Sequence, residues 1–110
     1  MKIQIEKLLA RIAADFRDWQ NCRMGEAGRT DIQNEMYREF VAGLRVEEGR
    51  KYIKIVSEGS VWGFINKGNN KFRVGDILKA AGWNTPALNR ARGNILDGNY
   101  EIRWTGPLYL

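Results

Sequence analysis

Two arginines, one asparagine and two aromatic residues in the second half of the chain have side chains that can act together on a charged, planar molecule. Arg90 and Arg92 carry guanidinium groups, which grip phosphate through paired hydrogen bonds, and Asn94 adds an amide. Phe64 and Trp83 offer aromatic faces on which a base can stack. These residue types predict a site for an anion that carries a base. The ordinary alternative is that the arginines are solvated and the aromatic residues lie in the core.

A strand and a short helix are predicted just before these arginines. Residues 61–65 are rich in aromatic and β-branched types, which predicts a strand, and the Asn and Gly residues that follow predict a loop containing Asn70. Asp76 can accept backbone N–H groups as the N-cap of a helix over residues 77–81. Gly82 can end so short a helix in the left-handed conformation.

A second short helix is predicted to carry the arginines themselves. Pro86 suits the first helical position, so this helix is predicted to run from Pro86 to Arg92. Residues four apart share a helix face, so Leu88 and Arg92 point the same way, while Arg90 points elsewhere, in line with Asn94. The start of this helix adds backbone N–H groups that attract anions.

Two longer helices are predicted in the first half of the chain. Apolar residues recur every three or four positions through residues 1–20, which predicts an amphipathic helix that lies on the core or at an oligomer interface. Thr30 and Gln33 match a capping box, so a second helix is predicted to begin near Asp31. Its predicted apolar stripe consists of Ile32, Met36, Phe40 and Leu44. Cys22, at the end of the first predicted helix where the connecting loop begins, is expected to be a partly buried and inert thiol.

The remaining strands complete the predicted fold. Residues 51–56 and 61–65 flank a turn and predict an antiparallel hairpin. After a turn at residues 97–99, one strand face is predicted to hold Tyr100, Ile102 and Trp104. The chain is therefore predicted to be α+β, with two N-terminal helices, a small antiparallel sheet and two short helices. Residues 1–110 are expected to form one compact domain, with the sheet and the ligand-binding region in residues 50–110.

Composition narrows the possible functions. The 18 lysines and arginines outnumber the 13 acidic residues, so the net charge of +5 favours an anionic partner. The chain has no histidine and one cysteine, which makes hydrolytic chemistry, a disulfide framework and a thiolate metal site improbable. We therefore expect no catalytic residue, metal or cofactor. The sequence has neither a signal-peptide pattern nor a membrane-spanning apolar run, so we expect a cytoplasmic protein with no membrane partner.

Four segments resemble the first-described family of phage Thoeris anti-defence sponges. They are VWGFI at 61–65, GDILKAAGW at 75–83, ARGN at 91–94 and WTGP at 104–107, within a similarity that extends from about residue 34 to the end of the chain. The resemblance implies a non-enzymatic homo-oligomer, a dimer or a hexamer, in the cytoplasm of the host bacterium. Such a protein sequesters a cyclic ADP-ribose signal without degrading it. Some relatives also capture cyclic dinucleotides or trinucleotides of a second defence system.

The resemblance also assigns individual residues. It implies that Phe64 stacks on the base, that Arg92 holds phosphate, and that Arg38 on the second helix is a further ligand-binding arginine. Asn70 is implied to make a weaker contact. The chain departs from the family pattern at Leu88, where the family has an arginine, and this departure bears on affinity or on ligand preference.

Two other functions fit the same sequence. Residues 76–93, with two short helices and a Gly-Trp-Asn corner, resemble a helix-turn-helix, and the positive net charge suits nucleic acid. Acidic residues scattered through the first two helices oppose this interpretation, because they interrupt any continuous basic stripe. The third possibility is a phage interaction or assembly protein that uses the N-terminal helix as its interface and binds no small ligand.

Overall fold

The computed structural model describes residues 1–24, 31–68, 71–88 and 90–107. Within these ranges, two helices come first, α1 (Lys2–Met24) and α2 (Asp31–Gly43). The strands that follow are β1 (Arg45–Glu48), β2 (Tyr52–Ser57), β3 (Ser60–Asn66), β4 (Ile77–Leu78), β5 (Gly93–Asn94), β6 (Asn99–Tyr100), β7 (Ile102–Arg103) and β8 (Gly106–Pro107). The first four form an antiparallel sheet in the order β1-β2-β3-β4, and β5-β6 and β7-β8 form two small ribbons. The predicted α+β class is confirmed.

Strand register decides which face of the main sheet meets the helices. Ile53, Ile65 and Ile77 lie directly opposite one another on β2, β3 and β4, so they share one face. All three are buried in the same hydrophobic cluster as residues of both helices. The main core therefore lies between the helices and this face of the sheet.

The alternate residues of the same strands form the second face. Lys54, Phe64 and Leu78 lie opposite one another and follow or precede the three isoleucines by one position. Part of the segment 79–88 lies against this face, because the side chain of Asn84 reaches the ammonium group of Lys54. A basic side chain thus occupies an interior strand of the sheet, on the face away from the helices.

The first helix follows the predicted stripe and is longer than predicted. The inward positions Ile5, Leu8, Ile12 and Phe16 are all buried, which confirms the amphipathic pattern. The helix ends at Met24, so Cys22 lies near its end, as predicted, and the loop begins later than predicted. Cys22 is exposed, and the prediction of a partly buried thiol was wrong because the added helical turns place this residue on a solvent-facing side.

The second helix begins at Asp31 as predicted, but its inward face differs from the predicted stripe. Thr30 lies outside the described residues, so the capping box stays a prediction. Phe40 is fully buried, whereas Ile32 is 71% exposed and Met36 is 46% exposed. The helix instead turns Tyr37 and Phe40, three positions apart, toward the hydrophobic cluster. Phe40 and Leu44 of the predicted stripe do pack in this cluster, and Tyr37 takes the place there of Ile32 and Met36.

The sequence predicted no strand at residues 45–48, where the structure has β1. Its register with β2 places Val46 opposite Ile55 and Glu47 opposite Lys54. An edge strand with Arg, Val, Glu and Glu carries little of the apolar alternation that identifies strands. The predicted acidic connection is therefore the outermost strand of the sheet.

The two short helices predicted between residues 77 and 92 are not present in the structure. None of the described residues from 76 to 92 is helical. Ile77 and Leu78 are buried in β4 and pair with β3, and Ala80 forms an isolated bridge with Pro86. Isolated helices of five to seven residues are marginal in water, so pairing with an existing strand outweighs local helix propensity.

The C-terminal strand predicted over residues 100–104 is divided. β6 ends at Tyr100 and β7 begins at Ile102, each pairing with a different short strand. Tyr100 and Ile102 are buried and Trp104 packs against the same cluster, so the predicted common face is confirmed. Among the described residues, no helix is long and apolar enough to cross a membrane.

Candidate functional site

A cleft opens on the sheet face that points away from the helices. We call it the Lys54 cleft; its volume is about 260 Å³. It is lined by Glu47, Glu48, Gly49, Arg50, Lys51, Tyr52, Lys54, Phe64 and Asn84. Three of these residues are cationic and two are acidic, so the lining combines aromatic surface with an excess of positive charge. This combination suits an anion with a planar group.

The ammonium group of Lys54 is the best-positioned cation of the cleft. Its Nζ donates a hydrogen bond of 2.6 Å to Oδ1 of Asn84 and lies 4.4 Å from the centre of the Trp83 ring. The nearest carboxylate oxygen of Glu47 is 3.7 Å away, at ion-pair distance. The Lys54 side chain is 10% exposed. The partners surround the ammonium with one amide, one aromatic face and one carboxylate.

The partners of the ammonium group explain why a lysine can be buried here. A charge that leaves water is costly unless it gains partners, and the Asn84 amide, the Trp83 ring and Glu47 supply them. An ammonium has three donors. Asn84 accepts one of them, and the Glu47 oxygen lies beyond ordinary hydrogen-bond length. The group therefore retains the capacity to bind a ligand oxygen.

Aromatic residues flank this cation on two sides. Tyr52 and Phe64 contact each other in an edge-to-face arrangement, with ring centres 5.9 Å apart and planes at 69°. Phe64 lines the cleft but is only 2% exposed, so it offers little surface on which a base could stack. Trp83 is 47% exposed, so among these aromatic residues it offers the larger surface to a base.

Arg92 lies apart from the cleft and is not on a helix. Its backbone N–H donates to the carbonyl of Ile77 at 2.7 Å, which places it beyond β4, on the far side of the sheet from β1. At about 4.8 Å per strand, Arg92 is on the order of 14 Å from β2. The residue is 6% exposed, and one guanidinium nitrogen donates to the carbonyl of Arg90. The expectation that Arg92 is an exposed helical arginine beside Leu88 was wrong, because β4 captures its backbone.

Asn94 has a structural role that the sequence did not indicate. Its Nδ2 donates to Oδ1 of Asp76 and to the carbonyl of Val74, both at 2.9 Å. Its Oδ1 accepts the N–H groups of Leu96 at 2.8 Å and Asp97 at 3.3 Å. Both donors and both acceptor positions of this amide are engaged within the chain. Asn94 therefore fixes the loops around it.

Asp76 belongs to the same cluster and does not cap a helix. Its Oδ2 accepts the backbone N–H of Arg73 at 2.8 Å, while its Oδ1 accepts from Asn94. The residue is 8% exposed. Its carboxylate thus closes a turn three residues upstream of itself and joins that turn to β5.

The other predicted site residues are dispersed. Arg90 is exposed, with its carbonyl bonded to Arg92. Arg38 is exposed on α2, in the helical layer, whereas Phe64 lies on the opposite sheet face. Asn70 lies outside the described residues. Of the predicted ligand-binding residues that are described, the structure places Phe64 alone in the Lys54 cleft.

Sequence reasoning missed the central residue of the cleft. Lys54 sits between two isoleucines in a strand, and that position in an alternating pattern predicts a face opposite the core. Tyr52 and Lys54 alternate with Ile53 and Ile55, and this alternation was an available signal for a face that carries an aromatic and a basic side chain. The contact with Asn84 was not, because the two residues are 30 positions apart and Asn84 was predicted to lie at a corner between two short helices.

Comparison with known proteins identifies a family whose function is unknown. A family model described as a family of unknown function, DUF7717, matches residues 2–110 of the chain. No curated protein matches the chain, and no solved structure does. Similarity to the Thoeris anti-defence sponges stays a prediction.

Proposed function

The chain belongs to that family of unknown function, and we propose that it is a non-enzymatic protein that binds a cyclic nucleotide in the Lys54 cleft. The observation that carries the proposal is the buried ammonium of Lys54 between the Trp83 ring and the Asn84 amide. Phosphate binds cations, bases stack on aromatic rings, and ribose hydroxyls pair with amides. The Lys54 cleft supplies the cation and the amide, and the Trp83 ring beside Lys54, outside the cleft lining, supplies the exposed aromatic surface.

The volume of the cleft indicates how much of a ligand one chain could enclose. Its volume of about 260 Å³ is slightly below the ~300–1,000 Å³ of typical small-molecule pockets. One chain is therefore suited to one part of a cyclic nucleotide. We assign a phosphate to Lys54, with Arg50 and Lys51 on the same rim, and a base to the exposed surface of Trp83.

The proposed ligand is a cyclic ADP-ribose isomer, with cyclic dinucleotides and trinucleotides as the second ligand class. The resemblance of the sequence segments supplies this ligand class, and the residue types of the cleft are compatible with it. The sequence contains no histidine, the commonest general base, so we propose capture without conversion. In a host bacterial cytoplasm, such capture would keep the signal from its effector.

The decisive experiment compares the same substitution at two lysines, each of which lies near an aromatic ring. Lys54→Met keeps the aliphatic stem and removes the charge, and Lys71→Met does the same at an exposed lysine whose Nζ is 5.1 Å from the Phe72 ring. Calorimetry with a cyclic ADP-ribose isomer should give an affinity about tenfold to a hundredfold weaker for Lys54→Met, because one charge-assisted contact is lost. Lys71→Met should bind like the wild type.

A second variant separates ligand binding from folding. Trp83→Ala removes a half-exposed ring that also contacts the Lys54 ammonium, so the melting temperature should fall by a few degrees at most while affinity falls about tenfold. Chromatography of ligand released by denaturation should return the intact molecule. Equal binding by wild type, Lys54→Met and Trp83→Ala would place the ligand elsewhere, and a product that accumulates with time would show that the protein is an enzyme.

A further inference from the structure

The outer edge of β1 has backbone groups directed away from the rest of the sheet. Gly49 N–H donates to the Tyr52 carbonyl at 2.8 Å, just beyond the register in which Glu47 faces Lys54. Hydrogen-bonded positions alternate along an antiparallel strand, so the backbone groups of Arg45 and Glu47 point toward β2. Those of Val46 point to the outside. Among the described residues, no strand pairs with this edge.

The side chains of β1 are complementary to a second copy of themselves. A two-fold axis through Val46, perpendicular to the sheet, would place Val46 opposite Val46 of the partner subunit as a hydrogen-bonded pair. Arg45 would then lie opposite Glu47 of the partner subunit, and Glu47 opposite the partner's Arg45. Both charge pairs lie on the face that carries Lys54, because Glu47 is directly opposite Lys54. Opposite charges in facing positions stabilise a strand pair.

The helix-facing side of β1 adds apolar surface to the same edge. Val46 lies on this side, opposite Ile55, and is 39% exposed. It borders a groove of about 570 Å³ between α1 and the sheet. The groove is lined by Met1, Lys2, Ile5, Glu6, Leu9, Val46, Glu48, Ile53 and Lys67. The two-fold axis would bring two such grooves side by side and remove their apolar walls from water.

The opposite edge of the sheet is already covered. Arg92 N–H donates to the Ile77 carbonyl of β4 at 2.7 Å, and Ala87 N–H donates to the Lys79 carbonyl at 2.7 Å. An uncovered edge strand is the usual site of intermolecular pairing. From this asymmetry and from the charge pattern of β1, we propose that the protein forms a two-fold dimer in which β1 pairs antiparallel with β1 of a second copy.

This dimer would add a residue to the rim of the Lys54 cleft. Glu47 lines the cleft, and in the dimer Arg45 of the partner subunit faces Glu47. Within one chain, Nη2 of Arg45 already lies 3.0 Å from Oε2 of Glu47. In the dimer, the partner's guanidinium would compete with this arginine and with Lys54 for the Glu47 carboxylate. Each cleft would then have a further cation at its rim, supplied across the interface. The proposed pairing does not depend on a ligand, so it can be measured on the protein alone.

Charge-reversal variants test the pairing without relying on loss of folding. In the proposed dimer, position 45 of each chain faces position 47 of the other. Arg45→Glu therefore makes both of these facing pairs acidic, and Glu47→Arg makes both of them basic. Each variant alone should raise the dimer dissociation constant at least about tenfold, measured by sedimentation equilibrium without ligand. An equimolar mixture should recover a species of twice the 12.7 kDa chain mass, since one variant supplies only acids and the other only bases at these positions. The double variant should dimerise like the wild type.

Three outcomes would overturn this proposal. They are a monomeric wild type at high micromolar concentration, a dimer of unchanged affinity in Arg45→Glu, and a mixture of the two variants that stays monomeric. Ile32→Lys provides the control, because Ile32 is an exposed apolar residue on α2 rather than on β1. This variant should leave the dimer dissociation constant unchanged, and its loss of dimerisation would assign the interface to α2.

Discussion

Phe16 and Phe40 stack with their ring centres 4.2 Å apart and their planes within 3° of parallel. The contact joins α1 to α2, and Trp104 meets the edge of both rings at 5.1 and 5.8 Å. Phe40→Ala should lower the free energy of unfolding by roughly 3–5 kcal/mol, because a fully buried aromatic ring is replaced by a cavity. Met36→Ala, on the exposed side of the same helix, should change it by about 0.5 kcal/mol or less. Urea unfolding followed by circular dichroism measures both; equal losses would show that the α1–α2 contact is not formed by these rings.

Arg92 should matter for stability, and its neighbour Arg90 should not. Arg92 is buried and its guanidinium is bonded to the carbonyl of Arg90, so Arg92→Ala should cost about 2–3 kcal/mol of stability. Arg90→Ala keeps that carbonyl and removes an exposed side chain, so the free energy of unfolding should change by about 0.5 kcal/mol or less. Thermal melts of both variants, with wild type beside them, provide the measurement. A stable Arg92→Ala that loses ligand binding would instead restore Arg92 as a ligand-binding residue.

Gly75 and Gly98 form a matched pair for measuring close packing at the Asn94 cluster. Both have positive φ, 89° and 70°, so alanine costs conformational energy at either position. A Cβ at Gly75 would lie 2.9 Å from Oδ1 of Asn94 and 2.9 Å from Cγ of Leu96, whereas at Gly98 no atom lies within 4 Å. Gly75→Ala should therefore lose about 1–3 kcal/mol more than Gly98→Ala in chemical unfolding. Equal losses in the free energy of unfolding would mean that the Asn94 cluster accommodates the added methyl group without loss of stability.

The sequence predicted those elements whose pattern follows from burial alone. The apolar period of α1 and the β2–β3 hairpin are local signals, and each runs long enough to identify its element. Residues 77–92 contain equally clear local helix signals, yet their backbone groups pair with one another and with β3. Which pairing wins depends on partners distant in the sequence, and no local pattern encodes that competition.

The sequence indicated the types of chemical group found in the candidate site, but it did not indicate most of the residues that supply them. The expected components were a cation, an aromatic surface and an amide, and the structure assembles such a set from Lys54, Trp83 and Asn84. The phosphate-binding role was predicted for arginines because guanidinium groups suit phosphate whatever their position in the fold. Lys54 escaped notice because its importance arises from burial on an interior strand, a property that exists only once the sheet is formed.

The covered edge at β4 bears on how concentrated this protein can become. Growth of strands into fibrils needs two available edges on every chain, one to accept a neighbour and one to offer to the next. Here Arg92 and Ala87 are bonded along the β4 side, so in the described part of the chain the four-stranded sheet has one uncovered edge, and pairing there would use up that edge in both chains. Assembly through the sheet would thus stop by itself at two chains. Under the proposed function, capture is stoichiometric and the protein has to match its ligand in amount, and a self-limiting sheet is compatible with that abundance without precipitation.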